Sequence, residues 1–493
     1  MRMLIALSSS SHCGSMRTFL VSLSASVVVL AAFFAACSES GSPSGYAGTG
    51  GTTGGSGGAA GSPGGSGSNE GSGAGSSGSA AGSPGGSGSS QGSGAGSGNP
   101  QSGALADAAG GQSEGSATTD AGDASPTPDA ADGGASNVWT GTWAASPQGC
   151  GGGSAGQTLR EIVHTSIAGT SVRVRISNAF GGGTLQVRDV HIAQRTTGSS
   201  IDSATDKALM FNGQPDAMIP RGMYAVSDGV DFAVKALSDV AVSFYVVSSA
   251  GGTCHQSGFQ DNYSVGGNMA NSATLGGAQT NGSYLYLSNL DVLNANAEGA
   301  VVTLGASITD GYQQGPNGNN RRWPNDLAVR LVGANRVVGV LNQGISGDGV
   351  MNAVNRFDRD VMSQPNVKWV IFSDNPINDL GNFNPSAQTE IDQIKGMMAK
   401  AHAMGIRWLC STLTPFQGAN YWGPQKEPGR AAINAYIRGA NSGCDGVVDQ
   451  DTATHDPANT SRYRADLDFG DHLHPNVAGL QAIADSVDLT LFK

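Results

Sequence analysis

Positive charge is scarce in this sequence. Its 493 residues carry 26 Lys and Arg against 38 Asp and Glu, a net charge of −12. A surface that tracks nucleic-acid phosphates needs clustered Lys and Arg, so this balance argues against a nucleic-acid partner. Cys-x-x-Cys spacing is absent, which removes the usual signature of structural zinc. His472 and His474 resemble a metal pair, but no further ligand cluster accompanies them. Asp445, Asp449, Asp451 and Asp456 lack the regular spacing of a calcium loop and read instead as a solvated acidic face. No metal and no cofactor is expected. A membrane-spanning run is also missing: the apolar stretch from Phe19 to Ala32 is too short and wrongly flanked to be one.

Glycine, by contrast, is abundant, with 76 residues in the chain, packed most densely in the first third. Residues 1–37 read as an export signal, with Arg2 and Arg17 ahead of that apolar core. The segment ends Phe34-Ala-Ala-Cys37, which resembles a bacterial lipoprotein cleavage site and marks Cys37 for lipidation; ordinary secretion with cleavage nearby is the alternative. Either way the protein is expected outside the cytoplasm, lipid-anchored at the outer membrane or cell surface, or secreted. The lipid anchor is its sole expected tie to a membrane. Residues 38–137 are Gly, Ser and Ala, and a Gly-Ser-Pro-Gly-Gly-Ser-Gly-Ser unit opens at both Gly61 and Gly82. Such a stretch buries too little apolar surface to repay its ordering entropy and reads as a disordered linker, with an end-to-end distance on the order of 55 Å.

Two domains are expected after the linker, at 138–292 and 293–493. In the first, Ser171-Val-Arg-Val-Arg-Ile-Ser177 alternates apolar and polar residues, as do Leu185 to Ile192 and Val240 to Val247, without helical periodicity. This pattern fits an antiparallel, all-β sandwich. In the second, short apolar runs (Ala300 to Leu304, Val337 to Leu341, Trp369 to Phe372, Ile406 to Leu413, Val447 and Val448) alternate with helical patterns at 386–404, 429–440 and 476–491. That alternation predicts a three-layer α/β domain around a parallel sheet, with its ligand at the carboxyl ends of the strands. Four cysteines, Cys150, Cys254, Cys410 and Cys444, remain after the signal. In an oxidising compartment they suit disulfides, and pairing within each domain is the simplest arrangement.

Gly305-Ala-Ser307-Ile-Thr-Asp-Gly311 follows the first strand of the second domain. Gly305 lets the chain turn sharply, and Ser307 presents hydroxyl and backbone N–H to the same space. Near the C-terminus, Asp471-His-Leu-His474-Pro475 holds an Asp three residues before a His, and Pro475 suits a helix start. A serine, an imidazole and an orienting carboxylate are what acyl transfer through a covalent intermediate needs. Gly152-Gly-Ser154-Ala-Gly156 also fits a serine-hydrolase pattern, but no strand precedes it.

These blocks, with Trp139-Thr-Gly-Thr-Trp143, Asn342-Gln-Gly-Ile-Ser-Gly347, Arg356-Phe-Asp-Arg-Asp360 and Asn378-Asp-Leu-Gly381, resemble the SGNH, or GDSL, hydrolases, and within them a bacterial branch with an N-terminal β-sandwich. The resemblance implies a flavodoxin-like catalytic domain. It also implies a triad of Ser307, Asp471 and His474, and an oxyanion hole from the N–H groups of Ser307 and Gly347 with the Asn378 amide. Two departures stand out. The family has Asp before its serine, where this chain has Ala306, so the nucleophile loop is either looser or braced differently. It also has Gly two residues before the third-block Asn, where this chain has Pro376, within Ser373-Asp-Asn-Pro-Ile-Asn378. Asn375 then competes with Asn378 for the oxyanion, with Asn378 preferred because Asp379 and Gly381 follow it.

The expected activity is hydrolysis of carboxylic esters through an acyl-enzyme, on a small-molecule or polysaccharide ester, with acetyl groups on polysaccharides leading. A lipase or acyltransferase of the same fold, or a decayed carbohydrate-binding surface protein, are the alternatives. Tyr421 and Trp422 read equally as a sugar-stacking platform or as core. His164, His191, His255, His402 and His455 read as structural or surface residues.

Overall fold

The computed structural model describes residues 138–493; the export segment, Cys37 and the Gly/Ser-rich stretch lie outside the described residues. From Trp139 to Leu293 every sheet pairing is antiparallel. One sheet runs Trp139–Ala144, Leu287–Leu293, Gly169–Ser177, Tyr224–Val226, with Val230–Val234 also on Gly169–Ser177. A second is built around Gln157–His164, Asp239–Ser248 and Leu185–Gln194. The alternation seen in the sequence puts Val172, Val174 and Ile176 of the first sheet into one buried cluster with Leu159, Val187, Val242 and Phe244 of the second. The residues between them point to the opposite faces, where Arg173 is part-exposed while Arg175 and Ser243 are buried against Ser363 and Arg160. A small third sheet pairs Gln148–Cys150 with Gly252–His255, and Cys150 and Cys254 are disulfide-bonded across it.

Beyond it lie five parallel strands in the order Val338–Gly344, Gly299–Gly305, Val367–Phe372, Arg407–Ser411, Gly446–Val448. The first two by sequence exchange places in space, which is the 2-1-3-4-5 order of a flavodoxin-like sheet, with its switch point beside the first strand. Gly299–Gly305 is buried along its whole length, and Val301, Val302 and Leu304 are worth about 1.5–3 kcal/mol each in burial. Helices Trp323–Gly333 and Val477–Asp485 pack together, while Val350–Phe357, Ala387–Ala403 and Glu427–Arg438 form a second packed group, giving the three layers. The antiparallel region covers the edge strand Val338–Gly344. Ser166 Oγ accepts the Val340 N–H at 2.9 Å, and Gly141 lies so close to Leu341 that a Cβ there would collide with it. An edge covered in this way cannot recruit another strand. Cys410 and Cys444 are also disulfide-bonded, with Cα atoms 5.8 Å apart.

Three expectations change. The last helix does not run from 476 to 491; it spans Val477–Asp485, and a separate turn at Leu489–Leu491 is capped by Asp488. Pro475 does not open it but pairs in an isolated bridge with Asp468, and Asn476 is the N-cap, accepting from Gly479 N–H. The acidic residues near 450 are not all a solvated face: Asp445 is exposed, but two others are held by arginines. Asp451 is buried against Arg430 and Arg438, and Asp449 receives Arg438 and Thr412.

Candidate active site

Ser307 begins the helical turn Ser307–Asp310, two residues past the end of the buried strand Gly299–Gly305. Gly305 is needed at the strand end because a Cβ there would strike both Thr309 and Asp374. Ser307 Oγ lies 2.9 Å from His474 Nε2, across 167 residues of sequence. His474 Nδ1 lies 2.7 Å from Asp471 Oδ2, so the imidazole stands between hydroxyl and carboxylate. The other Asp471 oxygen accepts the backbone N–H groups of Leu473 and His474, at 3.0 and 2.8 Å. Burial pushes the Asp471 carboxyl up, but these backbone bonds and the His474 ring outweigh it and hold it below the usual carboxylate range. An ionised Asp471 keeps the proton on Nδ1 and leaves Nε2 as the acceptor facing Ser307.

The neighbouring loops converge on the same point. Ile345 N–H donates to Gly305 O at 3.1 Å, and Asn342 Nδ2 donates to Thr309 O at 2.8 Å, which fixes the 345–348 loop beside the nucleophile turn. Gly347 has φ +83°, a conformation open to glycine at little cost. Among the described residues, the backbone N–H groups of Ser307 and Gly347 donate to no protein acceptor. Asn378 is half-buried; its Nδ2 donates to Asp348 O at 2.9 Å, and its Oδ1 receives the Tyr421 hydroxyl at 3.3 Å. One amide hydrogen of Asn378 is therefore still uncommitted. Asn375, the competitor, is fully buried, with its amide turned toward Asp348 and Gly349. Pro376 falls in the first turn of helix Asn375–Asn382, where its missing N–H costs nothing.

Ala306 is compensated. Asp374 Oδ1 accepts the Ala306 N–H at 3.0 Å and the Thr309 hydroxyl at 2.6 Å, and Oδ2 accepts the Ile308 N–H at 2.8 Å. Ser307 is thus clamped on both sides by one carboxylate that is 2 % exposed. Sequence reading passed over Asp374; its signal is a carboxylate missing from one block and an extra one in another. It also passed over Tyr312, whose ring lies 4.6 Å from the His474 imidazole while staying 40 % exposed. Phe259, from the antiparallel region, stacks edge-on against Tyr312 at 6.4 Å. Tyr421 and Trp422 are partly buried against the core and form no open platform; the Tyr421 ring fits beneath Gly381 and its hydroxyl serves Asn378. His472 faces outward, 53 % exposed, bonded to Asp468.

Residues 303–482 match the model of the GDSL-like Lipase/Acylhydrolase family. Similar solved structures include a GDSL-like lipase from Bacteroides thetaiotaomicron VPI-5482, with 18% identity and a TM-score of 0.31, covering 39% of this chain and 88% of that one. An acetylxylan esterase from Geobacillus stearothermophilus has 20% identity and a TM-score of 0.31, covering 39% and 93%. An alpha/beta hydrolase enzyme from the metagenome of Lake Arreo, Spain, has 21% identity and a TM-score of 0.32, covering 38% and 93%. No curated protein matches the chain.

Proposed function

From a GDSL-like lipase/acylhydrolase domain at residues 303–482, we propose a serine carboxylic ester hydrolase in which Ser307 is the nucleophile, His474 the general base and acid, and Asp471 its orienting carboxylate. The observation that carries this is the unbroken chain from Ser307 Oγ to His474 (2.9 Å) to Asp471 (2.7 Å) at a strand tip. Ser307 Oγ attacks the ester carbonyl while His474 Nε2 takes its proton. The oxyanion that forms is met by the N–H groups of Ser307 and Gly347 and the uncommitted amide hydrogen of Asn378. Each such donor is typically worth about 3 kcal/mol in the transition state. Collapse releases the alcohol with the proton from His474, and water repeats the sequence on the acyl-enzyme.

A polysaccharide acetyl ester is the preferred substrate. The export segment, the long Gly/Ser linker and two disulfides all fit work outside the cytoplasm. The exposed ring of Tyr312 beside His474 offers an apolar face for a sugar or a short acyl group. Ala306 and Pro376 carry little weight as marks of decay, because Asp374 clamps the loop and Pro376 opens a helix. Purified protein should turn over p-nitrophenyl acetate and be labelled by a fluorophosphonate, and Ser307→Ala should do neither. Equal turnover by the two proteins, or labelling at another residue, sinks the assignment. A screen of acetylated glycans with alcohols as competing acceptors then separates hydrolysis from acyl transfer.

A further inference from the structure

A polar seam is buried between the antiparallel region and the nucleophile turn. His255 ends the strand Gly252–His255 and is 3 % exposed. Its Nδ1–H donates to the Ser146 carbonyl at 3.1 Å, and its Nε2 meets Asp310 Oδ1 at 3.0 Å. Asp310, 1 % exposed, closes the turn that Ser307 opens. The other Asp310 oxygen accepts both the Ser346 N–H, at 3.0 Å, and the Ser346 hydroxyl, at 2.7 Å. A second thread runs alongside. Ser146 Oγ bonds Gln343 Oε1 and receives Arg356 Nη1 at 3.0 Å, while Arg356 also reaches Gly305 O at 3.0 Å and Asp348 Oδ2 at 2.7 Å.

The geometry points to His255 as a positioning residue that acts through Asp310 and Ser346 to aim the Gly347 N–H at the oxyanion, which makes the antiparallel region part of the catalytic apparatus and not an appendage. This rests on the esterase reading above. The Gly347 N–H belongs to the peptide unit that joins Ser346 to Gly347. Glycine at φ +83° resists a flip of that unit only weakly, so its direction must be set by what holds Ser346. Ser346 is held at two atoms by one Asp310 oxygen. Asp310 in turn is fixed from its far side by the His255 ring, which stands between it and the Ser146 carbonyl. Without that partner the buried Asp310 carboxylate would turn toward other donors, and that change frees Ser346.

The test compares wild type, His255→Gln and Ser346→Ala for p-nitrophenyl acetate kinetics, thermal midpoint and inhibition by a boronic acid that forms a tetrahedral adduct with the serine. Ser346→Ala removes one hydroxyl from a half-buried loop, so it reports even where His255→Gln folds poorly. Both variants are expected to lose kcat about 10- to 100-fold with KM within about threefold, because a misaimed donor is felt in the transition state and not in ground-state binding. Boronate affinity is expected to fall in parallel with kcat/KM, while Ser346→Ala keeps its thermal midpoint within about 2 °C of wild type. Wild-type turnover with full kcat in both variants overturns the inference alone. So does a kcat loss in His255→Gln that follows its melting while Ser346→Ala stays fully active and boronate affinity is unchanged. A wild-type protein that hydrolyses no ester overturns the esterase reading, and this inference with it.

Discussion

Removing the carboxylate of Asp374 perturbs Ser307 from both sides at once. In Asp374→Ala the buried N–H groups of Ala306 and Ile308 and the Thr309 hydroxyl lose their acceptor. Water does not replace it: Ala306 and Thr309 are fully buried and Ile308 is 1 % exposed. A buried donor left unpaired costs about 1–3 kcal/mol, so the two N–H groups together give roughly 2–6 kcal/mol. At about 2 °C per kcal/mol for a chain of this size, the thermal midpoint falls by roughly 4–12 °C. The kinetic loss is larger in proportion, because Ser307 sits between the two freed groups, and a displacement of about 1 Å costs on the order of 100-fold in rate. Adding Asp at 306 to the Asp374→Ala protein returns a carboxylate to the loop and should recover part of both losses. The same Ala306→Asp change in wild type should be destabilising, since it sets a second carboxylate among donors already taken. Differential scanning calorimetry and p-nitrophenyl acetate kinetics on the four proteins read the cycle. An Asp374→Ala protein within about 2 °C and threefold of wild type would refute the brace.

Three further outcomes are expected. Tyr421→Phe removes the donor to Asn378 Oδ1 and should lower kcat about 10-fold with KM little changed, since the amide can then turn over; unchanged kcat counts against that role. Burial, then the neighbouring Asp379 carboxylate, push the Glu390 carboxyl up to about 7. The folded protein therefore holds that proton more tightly than the unfolded chain, so its contribution to stability is full below about pH 4.5 and is lost as the pH rises to about 7. Glu390→Gln should flatten the pH dependence of the thermal midpoint across that window, and parallel curves for the two proteins would contradict it. The Cys410–Cys444 bond spans 34 residues, so chain entropy assigns it about 4 kcal/mol, and the Cys410→Ser/Cys444→Ser protein should melt correspondingly lower in calorimetry than wild type.

How much was legible in the sequence follows from the range of each interaction. Strands such as Gly169–Ser177 and Gly299–Gly305 announce themselves because burial on one face or both is written residue by residue. The Asp471–His474 contact is legible for the same reason, since its partners are three residues apart. Helices Val350–Phe357 and Asn375–Asn382 went unseen because each is eight residues long, and Pro376 reads as a breaker unless its place in the first turn is known. The links from Asp374 to Ala306, from Tyr421 to Asn378 and from His255 to Asp310 span 68, 43 and 55 residues. Nothing in local periodicity encodes such pairs; only the folded sheet brings them together.

The two departures from the family pattern, Ala306 and the altered third block, are better understood as one. The turn that holds Ser307 presents a fixed set of donors: two backbone N–H groups and the Thr309 hydroxyl. These need one carboxylate, and the fold does not require that it come from the residue before the serine. Here it comes from the loop after the adjacent parallel strand Val367–Phe372, which pairs directly with Gly299–Gly305 and so ends beside it. Two carboxylates in that space would share the same three donors and repel each other, so an Asp at 374 favours the absence of one at 306. The enlarged block Ser373-Asp-Asn-Pro-Ile-Asn378 then both delivers the brace and starts the helix that carries Asn378. Judged block by block, the chain departs from the pattern it resembles; judged by the donors that must be met, each of the three has its acceptor.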